Sequence, residues 1–156
     1  MRLPSAVALV VALAAAVLAG PALAQSPSPR QAEFAAAAVA PTAKNQQGDT
    51  VHFTLKQTYL TKSAVEQVQR QAAWLKQHPN VKVRLECHTD DELPPDYALS
   101  FGEARCQVVE RVLMKAGVEA GRITAVSYGN QRPAVANAAT KEDHAKNRRV
   151  VTRLVE

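Results

Sequence analysis

Val81-Lys82-Val83-Arg84-Leu85-Glu86-Cys87-His88-Thr89-Asp90 is the stretch that decides the fold. Val81, Val83, Leu85 and Cys87 alternate with Lys82, Arg84, Glu86 and His88, the period of two expected of a strand with one face buried and one in water. A strand of this kind needs a layer on one side only, and its neighbours supply helices for that layer. Upstream, Ser63 and Glu66 form an S-x-x-E capping box, and Val65, Val68, Ala72 and Leu75 recur at helical spacing until His78-Pro79-Asn80 stops them. Downstream, past an acidic, proline-bearing loop at residues 90–95, a second helix runs to about Ala116 with Gly117 as its C-cap. Its stripe of Leu99, Gly102, Cys106, Val109 and Leu113 recurs every three or four residues, so one face is built to bury. Three further strands are predicted: residues 51–55, where Val51, Phe53 and Leu55 alternate with His52 and Thr54, then 123–128 and 148–155. The order β-α-β-α-β-β predicts an α+β two-layer sandwich, with helices on one face of a mixed four-stranded sheet.

The chain has 156 residues, with 19 Lys+Arg against 14 Asp+Glu for a formal net charge of +5. This length allows one ordinary domain and excludes a large α/β barrel. A mild basic excess, few aromatics and no run of five or more like charges give no nucleic-acid signature. At the N-terminus, Arg2 precedes an apolar run at residues 6–19 and the small-residue triplet Ala22-Leu23-Ala24. The run is shorter than the roughly 20 residues that cross a bilayer core. Residues 1–24 therefore read as a secretory signal peptide cut before Gln25, leaving an exported mature chain with no transmembrane span. No cysteine stands near the cut to take a lipid. Residues 25–49, with Pro27, Pro29, Pro41 and few large apolar groups, read as a mobile lead segment, and the domain proper as residues 50–156.

Export changes the reading of Cys87 and Cys106. Each sits on the apolar side of its element, one on a strand and one on a helix, so both point into one interface. Outside the cytoplasm such a pair is disposed to oxidise. Two buried free thiols are the alternative. A zinc set of Cys87, His88, Cys106 and His144 lacks standard ligand spacing, and no metal or cofactor is expected.

His88-Thr89-Asp90 ends the central strand, and Arg105 follows in the early turns of the next helix. Taken with Ala72-Ala73-Trp74-Leu75-Lys76, Tyr97, Leu99, Gly102-Glu103-Ala104-Arg105, Gly117-Val118, Val126-Ser127-Tyr128-Gly129, Arg132-Pro133 and Asn147-Arg148-Arg149-Val150, these residues resemble the OmpA-like C-terminal domain. That family associates with peptidoglycan and includes the Pal lipoproteins. The resemblance covers residues 51–155. It implies a non-catalytic periplasmic module of a Gram-negative envelope that binds the diaminopimelate of the peptide stem non-covalently and supports envelope integrity, with outer-membrane association through partner envelope proteins. It further implies that Asp90 accepts the ligand ammonium and Arg105 grips a carboxylate, with Thr89 beside them and Asn147 and Arg148 flanking the site from the last loop. The chemistry fits, since a zwitterion needs an anion and a fork-shaped cation close together. From spacing alone, an Asp90–Arg105 salt bridge tying loop to helix is the competing reading. The chain departs from the family pattern at Cys87 and Cys106, where Gly and Ala are usual, at Leu93 in place of Gly, at Ala98 in place of Asn, and at Phe53-Thr54 in place of Phe-Asp. The altered loop at residues 91–95 leaves a second functional expectation, a protein-interaction module of the same fold that has lost wall binding. An acid-base enzyme built on His88 and Asp90 lacks a nucleophile or metal set.

Overall fold

Strand β2, Lys82–His88, forms where the alternation places it, with Val83, Leu85 and Cys87 buried on one side. The computed structural model describes residues 26–39 and 47–155, so the expected signal peptide lies outside the described residues. β2 is central. It pairs in parallel with β3, Ile123–Gly129, and antiparallel with β4, Arg149–Val155, while β1, Thr50–His52, pairs antiparallel with β4. The sheet order is β1-β4-β2-β3. A parallel β2–β3 pair requires a crossover, which α3 (Pro95–Lys115) provides.

Helix α2, Lys62–Gln77, and α3 lie on the same face of the sheet, giving the expected two-layer α+β sandwich. Val68, Ala72 and Leu75 of α2 meet Cys106, Val109 and Leu113 of α3 over Val83, Leu85 and Val150. A disulfide joins Cys87 to Cys106 across this interface, with the Cα atoms 5.8 Å apart. The zinc reading of the two cysteines fails for that reason.

Three local expectations shift. The N-cap of α2 is Thr61, not Ser63: Thr61 is extended, and its Oγ1 accepts from the Ala64 N–H at 3.3 Å. Ser63 already lies inside the first turn. On α3 the buried stripe begins at Ala98, and Leu99 is exposed. The cause is close packing at Gly129, where an added Cβ would lie 3.1 Å from the Leu99 nitrogen and 3.3 Å from the Ala98 Cβ, so only a small side chain fits beneath the helix. β1 ends at His52 rather than continuing to residue 55, and Leu55 is exposed.

Two helices were not anticipated. α1, Pro29–Ala37, occupies part of the expected mobile lead, and this corrects that expectation for those residues. Phe34 is its anchor, fully buried and edge-on to Trp74 with ring centroids 5.3 Å apart. Gln31 is a second tie. β1 is too short to cover β4, and the Gln31 amide takes the place of the missing strand, donating to the Thr152 carbonyl at 3.0 Å and accepting from the Leu154 N–H at 2.8 Å. α4, Lys141–Asn147, is a short helix capped by Thr140, whose Oγ1 accepts from the Asp143 N–H.

Candidate functional site

The C-terminal end of β2, the first half of α3 and the α4–β4 junction converge on one place. Thr89 continues the line of β2, donating its N–H to the Gly129 carbonyl at 2.9 Å, and this sets Asp90 at the mouth of the sheet. Asp90 is buried at 2% exposure, and its Oδ2 pairs with Nη1 of Arg148 at 2.8 Å. Arg148 is itself held by donating from Nε to the Phe53 carbonyl at 3.0 Å, and Glu92 lies 3.8 Å from the same guanidinium.

Arg105 is 1% exposed, the largest of the fully buried side chains. Its guanidinium donates to the carbonyls of Gln57 at 3.1 Å, His88 at 3.2 Å and Thr54 at 3.5 Å. The rings of Phe53 and Phe101 flank it, with centroids 5.0 and 4.9 Å from Cζ. Burial lowers its pKa to about 10, with Asp90 opposing the shift and Arg148 adding to it, so the group stays cationic at neutral pH. The competing reading, a salt bridge between Asp90 and Arg105, is not formed: no ion pair within 4.0 Å joins them, and Asp90 turns to Arg148 instead. The charge of Asp90 still raises the pKa of Arg105 against the effect of burial.

Of the residues singled out in the sequence, Asp90, Arg105 and Arg148 are brought together. Thr89 is buried beside them, and its Oγ1 has no hydrogen-bond partner. Asn147 is buried as the last residue of α4, and its side chain is spent on the backbone of Val135: Nδ2 donates to the carbonyl at 3.0 Å and Oδ1 accepts from the N–H at 2.9 Å. It shapes the loop after β3. Sequence reasoning missed the flanking of Arg105 by Phe53 and Phe101; Phe101, four residues before Arg105 on the same helix, was the readable part of that cation–π signal. His144, read from the sequence only as a zinc ligand, brings its Nδ1 to 2.8 Å from Asp91 Oδ1 in the acidic loop.

Asp90, Glu92 and His144 place ligand atoms within 4.8 Å of one another, the one group among the described residues with the makings of a cation site. Arg148 already supplies a positive charge to both carboxylates there. What remains is a buried carboxylate paired with one buried guanidinium, with a second buried guanidinium, that of Arg105, nearby.

The fold is thus an α+β domain with buried charged side chains gathered at a strand end. A family model described as the OmpA family matches residues 52–148, and the chain belongs to that family. The peptidoglycan-associated lipoprotein of Brucella melitensis is 34% identical over 106 residues, covering 67% of this chain and 62% of its own length. That of Haemophilus influenzae is 35% identical over 106 residues, covering 68% of this chain and 69% of the relative. The crystal structure of the peptidoglycan-associated lipoprotein from Burkholderia pseudomallei superposes with a TM-score of 0.65 at 28% identity, over 69% of this chain and 90% of that one. The chain thus spans 62% of the length of the Brucella relative. These relatives are named for association and not for a catalysed reaction.

Proposed function

We propose that the domain binds peptidoglycan non-covalently through the diaminopimelate of the peptide stem, without catalysis, as an exported protein of the periplasm. The observation that carries this reading is the buried carboxylate of Asp90 lying with Arg105 and Arg148 at one strand end. In this reading Asp90 accepts the ligand ammonium, and the guanidinium forks take its carboxylate. Thr89 Oγ1, buried and unpartnered, is a ready polar contact beside them. Asn147 contributes by holding the loop after β3 in place. The names of the relatives support peptidoglycan association, and the signal peptide read at residues 1–24 fits an exported chain.

Co-sedimentation with purified sacculi tests it. The wild type is expected in the pellet with diaminopimelate-type walls, and Asp90→Asn and Arg105→Lys to bind at least about tenfold more weakly, about 1.4 kcal/mol. Lysine-type walls, lacking the side-chain carboxylate, are expected to retain less protein. A wild type that stays in the supernatant rejects wall binding in favour of a protein-interaction module, and variants that still pellet fully reject the assigned residues.

A further inference from the structure

The face of the sheet turned away from α2 and α3 carries an unbalanced charge. Strand alternation sends Lys82, Arg84, Glu86 and His88 of β2 to that face, together with Arg149 and Arg153 of β4. Arg84 and Arg153 are direct cross-strand partners in the β2–β4 register. Like charges directly opposite one another are destabilising in a sheet. Glu86 stands between them, 2.7 Å from Arg84 and 3.5 Å from Arg153, and Arg153 also reaches Asp49 Oδ2 at 3.6 Å. Both arginine side chains remain nearly half exposed at 46% and 43%.

The excess continues toward the strand end. Arg149 donates from Nη2 to the Arg132 carbonyl at 3.1 Å, while its Nη1 is buried without a partner. Arg132 lies over the Tyr128 ring at 3.9 Å, and Tyr128 in turn stacks on His88 with centroids 5.5 Å apart. Val126 and Val155, on the same face by alternation, are exposed apolar residues. The surface is thus a sheet face on which Lys82, Arg84, Arg149 and Arg153 outnumber Glu86 and Asp49, with a little apolar area.

We propose that this open sheet face docks on an anionic lipid surface. Guanidinium forks match phosphate geometry, and an excess of them on one sheet face suits a layer of anionic headgroups. The geometry permits wall and membrane to be held together, because Asp90 lies six residues beyond Arg84, about 20 Å along the strand direction. The proposal does not depend on the identity of the ligand at Asp90.

The test is vesicle co-sedimentation of the purified exported chain, using phosphatidylcholine with about a quarter phosphatidylglycerol against phosphatidylcholine alone. Binding to the anionic vesicles is expected to be lost on neutral vesicles and on raising salt from about 50 to about 500 mM. Each arginine near an anionic surface contributes about fivefold, so Arg84→Gln with Arg153→Gln is expected to weaken binding about 25-fold. Arg111→Gln, on the exposed side of α3, is expected to change it less than about twofold. Thermal melting of each variant confirms that it is folded. Equal binding to neutral vesicles, a double variant that binds like wild type, or capture by polyglutamate without capture by anionic vesicles each overturns the proposal. Failure here leaves the sacculus experiment unaffected, because Asp90 and Arg105 lie at the strand end.

Discussion

β2 shows two faces that follow different physics. Toward the helices it presents Val83, Leu85 and Cys87, all but sealed from solvent and fastened to α3 by the disulfide. Away from them it presents Lys82, Arg84, Glu86 and His88, where arginines from adjacent strands oppose each other. The covered face lowers free energy by burial; the open face gives some of it back through repulsion. The candidate site lies where the faces meet, at the strand end, and takes Arg105 from the helical layer and Asp90 and Arg148 from the loop ends. Substitutions should therefore grade steeply in cost from the junction and covered face to the open face.

The largest cost is expected at the junction. Asp90→Ala leaves the buried Arg148 guanidinium without its 2.8 Å partner, and breaking such a pair typically costs about 3 to 5 kcal/mol. Urea denaturation at neutral pH measures it. Asp90→Asn, which keeps a hydrogen-bond acceptor, is expected to lose less. A wild-type midpoint for Asp90→Ala would mean that Arg148 is satisfied by Phe53 and Glu92 alone, and that the junction belongs energetically with the open face.

Next comes the covered face. Replacing Cys87 and Cys106 together by Ala removes a cross-link between residues 19 apart in sequence, a loss of about 3 kcal/mol in the chain-entropy model. Guanidinium unfolding of the double variant against the oxidised wild type checks it. A difference below about 1 kcal/mol would show that packing of α3 on the sheet suffices without the staple.

These two predictions mark what the sequence could and could not convey. Alternation in β2 and the stripes of α2 and α3 were legible because burial on one face repeats with a fixed period. Leu99 misled because a helix stripe read on hydrophobicity alone ignores volume, and only Ala98 fits under the approach of Gly129. α1 was hidden because it rests on one aromatic, Phe34, and on the Gln31 amide standing in for a strand. Neither makes a periodic signal. At the site, the charged residues were readable as a set but their pairing was not: Asp90 reaches Arg148, 58 residues away, while Arg105 serves backbone carbonyls. Pairing depends on rotamers and on the loop carrying Gln57, which no local pattern encodes.

A smaller effect is expected from His88, on the open side but nearly sealed beneath Tyr128. Burial, followed by the charge of Arg149, lowers its pKa to about 4. The unfolded chain takes up a proton near pH 6.5 and the folded protein only near 4, so between these values the unfolded state binds more protons and stability falls as pH falls. Above pH 6.5 both states are neutral at this position and the contribution vanishes. The loss is expected to reach about 2 kcal/mol at about pH 4.5. Melting temperatures of wild type and His88→Gln at neutral pH and at about pH 4.5 isolate it, since the carboxylates titrate in both proteins and cancel in the comparison. Identical acid sensitivity would place water, not Tyr128 and the arginines, around the ring.

The smallest change is expected from Arg84→Gln, and it is the most informative about the open face. The substitution removes a 2.7 Å contact to Glu86, which for an exposed pair contributes little, and it also removes the repulsion between Arg84 and Arg153. The two terms nearly cancel, so stability should move by less than about 0.5 kcal/mol. Their salt dependence separates them. At about 20 mM salt the relief of repulsion should leave the variant level with or slightly above wild type in urea midpoint, and at about 500 mM the difference should disappear as the charges are screened. A loss beyond about 1 kcal/mol at either salt would show that the arginines hold the sheet together. The absence of such a loss is what a docking face requires, because charge kept at no gain to the fold is charge left available to a partner.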